Sequence, residues 1–463
     1  MIWALLLSLL TSLLVPEVLG ESFPPPNWLG NTNDHGRGIQ RTMTLLATST
    51  PEHRNTVKIL FYGQSITEQK WWQAVADDLR RRFPHANLII ENRAIGGHSS
   101  QLLVKTAEAD LYPFYPDLLV FHVYGSHLEY ENLIRRVRER TTAEILMQTD
   151  HVTKDEDLNE ETDPTKLTPK QWNAWMNHAF LPSTAAKYGA GLCDQHTIWK
   201  RYLRDFNLPP AALLSDSVHL NDHGCFLMAE CVKAYLRYDP SAPIDPASDL
   251  VKTFTVGKDA RWQNGRLKLE FEGNRVDVVV VKGSAPPARA LIDGRKPSQI
   301  AGLYAFTRTA AFPNSNWPIL LRVASGKPLL AEDWTLTIQG SPTNAKSFAF
   351  EVAGSETGPD GAGTAAQRFV SLSGRIVLEP DDWNLDYCMK VFKRPLPADF
   401  KVRWKAVLHG AEEFVSPGVA DPTVETTVTL AQGLMNTRHT LEITGAETTP
   451  IAALRVYRPP KVP

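Results

Sequence analysis

Cysteine is scarce in this chain, with four residues in 463: Cys193, Cys225, Cys231 and Cys388. So few exclude a scaffold built from disulfides. Cys225 and Cys231 stand six apart in an expected helix, about 9 Å along its axis, which is too far to bridge. A bridge from Cys193 to one of them and four buried thiols are the two readings left. A surplus of charge of one sign is lacking as well. Lys and Arg number 49 against 51 Asp and Glu, so no basic excess points to nucleic acid and no acidic tail appears. Beyond residue 20 no apolar run is long enough for a membrane crossing, no Asn-x-Ser/Thr acceptor occurs, and no segment repeats at a fixed period.

What is present begins with residues 1–20, a Leu-rich apolar stretch containing Pro16 and ending Val18-Leu19-Gly20. It has the form of a cleaved secretory signal, although only the terminal amine supplies positive charge ahead of it. The expectation is an exported protein, secreted, periplasmic or extracellular, with no membrane association after cleavage. About 440 residues would remain, a natural length for two domains that each bury a core.

Residues 21–54 carry Pro24-Pro25-Pro26 and polar turn residues, and read as an irregular lead-in. From residue 57 the pattern changes. Val57-Lys58-Ile59-Leu60-Phe61-Tyr62 is a short apolar strand, and residues 68–83 place Trp72, Val75, Leu79 and Phe83 at helical spacing. Trp71 falls off that stripe and is expected to point elsewhere. Strand-like runs at 87–92, 117–124 and 144–149 alternate with helical patterns at 99–110 and 129–141, and a last helix is expected over 224–236. This alternation predicts a parallel sheet covered on both faces. Ligands in such sheets bind beyond the carboxyl ends of the strands. Ser65, Gly96-Gly97-His98, Gly125-Ser126-His127 and Asp150-His151 each follow a strand and are expected to converge there. The polar, acidic stretch 152–167 reads as a long loop over the same edge. Pro240, Pro243 and Pro246 then mark a linker, and residues 247–463 carry short alternating strands at 267–271, 278–281, 335–338, 348–352, 402–408 and 439–443. An all-β sandwich is the expectation for that part.

The chemistry lies in Asp216-Ser217-Val218-His219-Leu220-Asn221-Asp222 and in Gly63-Gln64-Ser65-Ile66-Thr67. A serine hydroxyl attacks poorly unless an imidazole takes its proton, and the imidazole works best when a carboxylate fixes its tautomer. Asp216 and His219, two residues apart in a turn, suit that pairing, with Ser65 delivered from elsewhere in the fold. The alternative for Ser65 is a helix cap paired with Glu68, and for Asp216 and His219 a plain helix-entry turn. His122 lies among strand positions expected to be buried and reads as a core histidine. The histidines match no common zinc spacing, so no metal site is expected.

Residues 55–240 resemble the SGNH hydrolases, also called GDSL-type esterases. Gly63 to Thr67 resembles their first block, Glu91-Asn92-Arg93-Ala94-Ile95-Gly96-Gly97 the second, and Asp216 to Gly224 the last. The resemblance implies a flavodoxin-like, three-layer α/β domain ahead of the β-sandwich. It assigns Ser65, Asp216 and His219 as catalytic, with an oxyanion hole from the backbone N–H groups of Ser65 and Gly97. Two positions depart from the family pattern. Gln64 replaces the usual Asp, and Ser126 stands where the family has an Asn donating to the oxyanion, which makes Ser126 or His127 the candidate substitute. Gln64, His98, His127 and His151 are the expected substrate contacts. The implied activity is a secreted serine esterase that removes acyl groups, often acetyl, from carbohydrate, without a cofactor. Its partner is an acylated carbohydrate or another small ester. Two other readings remain: a glycoside-active enzyme using Asp150 and the acidic residues 155–163, and a carbohydrate-binding protein without turnover.

Overall fold

A computed structural model describes residues 23–28, 34–242, 250–327, 329–342 and 344–462. The expected leader and the linker prolines Pro243 and Pro246 lie outside them. Among the described residues no helix is long and apolar enough to cross a membrane.

Five strands, β1 (Thr56–Gly63), β2 (Asn87–Asn92), β3 (Leu118–His122), β4 (Glu144–Gln148) and β5 (Gly191–Cys193), form a parallel sheet in the order β2-β1-β3-β4-β5. That is the flavodoxin-like order. Ten helices enter the account in chain order: α1 (Gln40–Ala47), α2 (Ser65–Glu68), α3 (Trp71–Arg82), α4 (Ser100–Asp110), α5 (His127–Arg140), α6 (Trp172–Trp175), α7 (Leu181–Tyr188), α8 (Gln195–Asp205), α9 (Asp222–Tyr235) and α10 (Leu385–Phe392). Because side chains alternate across a strand, the sheet feeds two cores. Ile59, Phe61, Leu118, Val120 and Leu146 pack under α1, α3, α8 and α9. Leu60, Tyr62, Leu119, Phe121, Ile145 and Met147 pack under α4, α5 and α7.

The C-terminal part is antiparallel β, in separate sheets. One has five strands, from Tyr304–Phe306 through Lys401–Leu408, Glu332–Ile338 and Ala349–Gly354 to Gly358–Thr364. A seven-stranded sheet is organised on two long strands, Arg266–Val280 and Thr426–Thr444. The runs expected at 267–271 and 278–281 are therefore two stretches of one strand. The seven-stranded sheet buries its own core, whereas the core of the five-stranded sheet, with Trp317, Ile319, Trp334 and Trp404, is continuous with the α4–α5 side of the α/β core. Polar ties reinforce that junction. Arg308 donates to both oxygens of Asp110 at 2.9 and 2.8 Å and to the Arg93 carbonyl at 3.0 Å. The seven-stranded sheet has a tie of its own, Gln432 of Thr426–Thr444 donating to the Pro113 carbonyl at 3.0 Å.

The choice between the two cysteine readings is decided, and two expectations change: residues 21–54, read as an irregular lead-in, hold α1 with Met43 and Leu46 in the core, and Trp71 turns inward. All four cysteines are free and buried, so the bridge from Cys193 is not formed. Trp71, expected to point away from the core, is 1% exposed. It packs edge-on against Phe61 and donates its indole N–H to the Ile66 carbonyl at 2.6 Å, while Trp72 is the half-buried partner. α3 begins at Trp71, which stands four and eight residues before Val75 and Leu79 and so shares their buried face. Trp71→Ala should therefore lower the unfolding free energy by about 3–5 kcal/mol, the range for a buried aromatic truncated to Ala. Trp72→Ala should lower it by less than half as much, both measured by denaturant titration of tryptophan fluorescence.

Candidate active site

The end of β1 turns directly into α2, and Ser65 is the first residue of that helix, with Gln64 in the N-cap position. The helix-cap reading of Ser65 does not arise, because Ser65 Oγ faces His219. The turn is tight for a definite reason. A Cβ on Gly63 would lie 2.1 Å from the His122 carbonyl oxygen and 2.4 Å from Thr67 Oγ1, so only glycine fits where β1 passes the end of β3.

Asp216 and His219 occupy the turn that precedes α9. Asp216 Oδ1 accepts the backbone N–H groups of Val218 and His219 at 2.8 and 2.7 Å, and Oδ2 accepts from His219 Nδ1 at 2.7 Å. A carboxylate only accepts, so Nδ1 carries the proton and Nε2 is left with its lone pair toward Ser65 Oγ, 2.9 Å away. The three side chains form one line of hydrogen bonds. Asp216 is exposed, and the backbone N–H donors of His219 and Val218, followed by the His219 ring, hold its carboxyl down at about 2.

Gln69 ties this turn to the serine. Its Nε2 donates to the Leu220 carbonyl at 2.8 Å and its Oε1 accepts the Leu220 N–H at 3.0 Å. Gln69 follows Ser65 by four residues and Leu220 follows His219 directly, so one carboxamide couples the two halves of the arrangement. The sequence pattern gives no hint of it, because a glutamine after a short helix has no distinguishing context.

The Gly96-Gly97 turn lies beside Ser65, where a Cβ on Gly96 would stand 3.6 Å from Ser65 Cβ. Gly97 has φ +73, and a Cβ there would meet Trp317 at 2.4 Å. That contact brings the C-terminal part into the site. Asn316 donates to Glu68 at 2.6 Å, Tyr387 donates to the Gly97 carbonyl at 2.9 Å, and the Trp317 and Tyr387 rings stack at 4.8 Å. None of these three was expected from the sequence, since they lie some 220 to 290 residues after Gly97.

The other expected residues are placed as follows. Gln64 is half-buried at the N-cap of α2. Ser126 is the N-cap of α5: its Oγ accepts from the Glu129 N–H at 3.4 Å and its own N–H donates to Gln101 Oε1 at 3.1 Å. Its backbone N–H is thus committed to Gln101, while its hydroxyl, the group expected to replace the family's Asn, serves the cap only as an acceptor. His127 packs among Trp172, Trp175 and Phe180. His98 is fully buried beneath Trp317 rather than open to a cleft, and burial pushes its pKa down to about 4. His151 is 2% exposed and likewise sealed from substrate, with its Nε2 donating to the Val218 carbonyl at 2.7 Å. His122 is the core histidine expected, donating from Nε2 to Asp150 at 3.0 Å.

The carboxylates considered for glycoside cleavage are engaged elsewhere. Asp150 accepts from His122 and lies 2.9 Å from His151 Nδ1. Glu160, from the acidic stretch, has three donors on one oxygen: His178 at 2.9 Å, His196 at 2.7 Å and Lys200 at 2.6 Å. Burial opposes the charge of both, and these donors more than offset it, so both pKa values lie well below the usual carboxylate range. The groups His122–Asp150–His151 and Glu160–His178–His196 have side-chain types that metals bind. In the first, Asp150 Oδ1 already meets His122 Nε2 at 3.0 Å and His151 Nδ1 at 2.9 Å. In the second, the Lys200 ammonium already supplies the compensating cation.

No family model and no curated protein matches this chain. Among solved structures, it is similar over part of its length to LAE5, an alpha/beta hydrolase enzyme from the metagenome of Lake Arreo, Spain. That match has 19% identity, 39% of this chain and 94% of that chain covered, and a TM-score of 0.33. It is similar also to Axe2, an acetylxylan esterase from Geobacillus stearothermophilus, at 20% identity, with 41% and 98% covered and a TM-score of 0.33.

The Asp216 carboxyl ionises near 2 in the folded chain against 3.8 when free. Its contacts are therefore complete above pH 3.8 and are lost as pH falls through about 2. A carbon NMR titration should place its midpoint near 2. In His219→Ala the midpoint should rise but stay below 3.8, because the two backbone donors, including the largest contributor, remain. A wild-type midpoint at 3.8 would mean that the turn is not formed in solution.

Proposed function

We propose that this protein is an exported serine esterase of the SGNH type that removes acyl groups, acetyl foremost, from carbohydrate through a covalent intermediate on Ser65. The observation that carries the reading is the continuous line Asp216–His219–Ser65, with contacts of 2.7 and 2.9 Å. Carbohydrate as the alcohol portion follows from the resemblance of exported SGNH proteins with an added β part to polysaccharide-active esterases.

In the first half-reaction His219 Nε2 takes the Ser65 proton as Oγ attacks the ester carbonyl carbon, and the carbonyl electron pair moves onto oxygen. The backbone N–H groups of Ser65 and Gly97 hold that oxyanion. Ser65 suits the role because it opens α2, where the first N–H groups of a helix have no intrahelical partner. Collapse breaks the bond to the sugar oxygen, which leaves with the proton returned by His219. Water then repeats the sequence on the acyl-enzyme, releases the acid and restores Ser65. The exposed Asp216 keeps the His219 tautomer and stabilises the imidazolium formed in each half. Tyr387, Trp317 and Asn316 border the Gly97 side, so the C-terminal sheets would shape the edge of the cleft.

Protein lacking residues 1–20 should release acetate from acetylated polysaccharides and from a small activated acetate ester. Ser65→Ala should lower that rate by at least about 10⁴-fold. A well-folded wild type that releases no acid from any acylated substrate would overturn the reading, and new reducing ends from unacylated oligosaccharide would replace it with glycoside cleavage.

A further inference from the structure

The turn carrying Asp216 and His219 is exposed on its outer side, and its own hydrogen bonds, including Ser215 N–H to the His219 carbonyl at 2.8 Å, are local. Two buried or half-buried side chains from the body of the domain hold it. One is Gln69, which grips Leu220. The other is His151 at the end of β4, whose Nε2 donates to the carbonyl of Val218, the residue before His219.

We propose that His151, held between the Asp150 carboxylate and the Val218 carbonyl, is a positioning residue that seats the Asp216–His219 turn against Ser65. This rests on the esterase reading of that site. The ring faces an acceptor on each side. A carbonyl oxygen only accepts, so Nε2 must carry a proton, and a neutral ring would then point its Nδ1 lone pair at Asp150 Oδ1, 2.9 Å away. The contact to Asp150 is an ion pair rather than an aligned hydrogen bond. Protonation at both nitrogens removes the conflict. Burial works against the cation, and the charge and hydrogen bonding of Asp150, the Val218 carbonyl and the charge of Asp157 outweigh it, so the His151 pKa lies above its ordinary value.

The groups that face this ring come from every neighbouring element. Asp150 is on its own strand end and shares His122 from the end of β3. Asp157 comes from the acidic cover, Trp199 of α8 packs at 5.6 Å, and the Asp216–His219 turn closes the remaining side. Asp150 is fixed in turn: its N–H donates to Asn177 at 2.8 Å and its carbonyl accepts from His196 at 3.0 Å. Loss of the Nε2 proton sets a lone pair against the Val218 oxygen, and loss of the Nδ1 proton sets one against Asp150, which pushes the ring off the position from which it donates to the turn. The contact is therefore complete below pH 6.5 and is lost as pH rises through the His151 pKa, which lies above that value.

The test compares His151→Leu with His151→Gln, whose carboxamide can still donate to the Val218 carbonyl and does not titrate. His151→Leu should lower kcat on the activated acetate ester by about 10²-fold with KM within about twofold, the loss expected for a misplacement of about 1 Å. His151→Gln should recover most of that loss, and it should lack the alkaline decline of kcat that wild type is expected to show. Equal losses in the two variants, or a change in KM alone, would overturn the proposal. A nitrogen NMR titration of histidine-labelled protein gives a readout without turnover. The ring missing from the His151→Gln spectrum should be protonated on both nitrogens below pH 6.5 and lose a proton with a midpoint above it, and a midpoint at or below 6.5 would overturn the proposal even if every variant, wild type included, failed as an esterase.

Discussion

A carboxylate buried at the carboxyl end of a parallel sheet must be compensated on all sides or give up its charge. Asp150 sits at that place, after β4, and its carboxylate, its N–H and its carbonyl are all engaged. His122 and His151 meet the carboxylate, Asn177 accepts its N–H, and His196 donates to its carbonyl. These partners come from β3, the segment leading into α7, and α8, so one buried charge gathers the edge of the sheet into a single arrangement. Through His196 it reaches Glu160 and the acidic stretch, and through His151 it reaches the turn with Asp216 and His219. The site can afford an exposed Asp216 because the body beneath it is rigid.

The C-terminal sheets are built into the molecule in two different ways. The seven-stranded sheet buries its own core, while the five-stranded sheet continues the core under α4 and α5. Continuity of that core explains why Trp317 and Tyr387 arrive at the Gly97 turn with defined geometry. A wall of the cleft made of side chains on a separate, loosely attached unit would not keep a ring 2.4 Å from a hypothetical Cβ. The two parts meet at the Gly97 turn, and Arg308 clamps them together through Asp110 and the Arg93 carbonyl.

Much of the α/β part was legible from periodicity alone. Near-continuous apolar runs such as 57–62 and 118–122 have to be buried on both faces, and that requirement predicts a parallel sheet without further information. The turn at Asp216 was legible for a local reason: two residues between a carboxylate and an imidazole suffice for the contact, whatever surrounds them. Ser65 was legible because it closes a strand at Gly63. Residues whose roles depend on distant partners were not. Gln69 has no mark in sequence, and His98 and His151 read as cleft residues because they follow strands. Trp71 is a different case: its spacing of four and eight residues from Val75 and Leu79 already places it on the buried face.

Composition and order along the chain determined the class of fold, the strand ends at which side chains converge, and the pairing of Asp216 with His219, because each depends on neighbours within a few residues or on burial of a whole segment. Only the tertiary structure decided which converging residues are exposed to a cleft and which are sealed beneath it. It buried His98 under Trp317, turned Ser126 into a helix cap, and set His151 against the Val218 carbonyl. Those outcomes depend on contacts between residues tens to hundreds apart in the chain, and a contact of that kind leaves no periodicity for a sequence to carry.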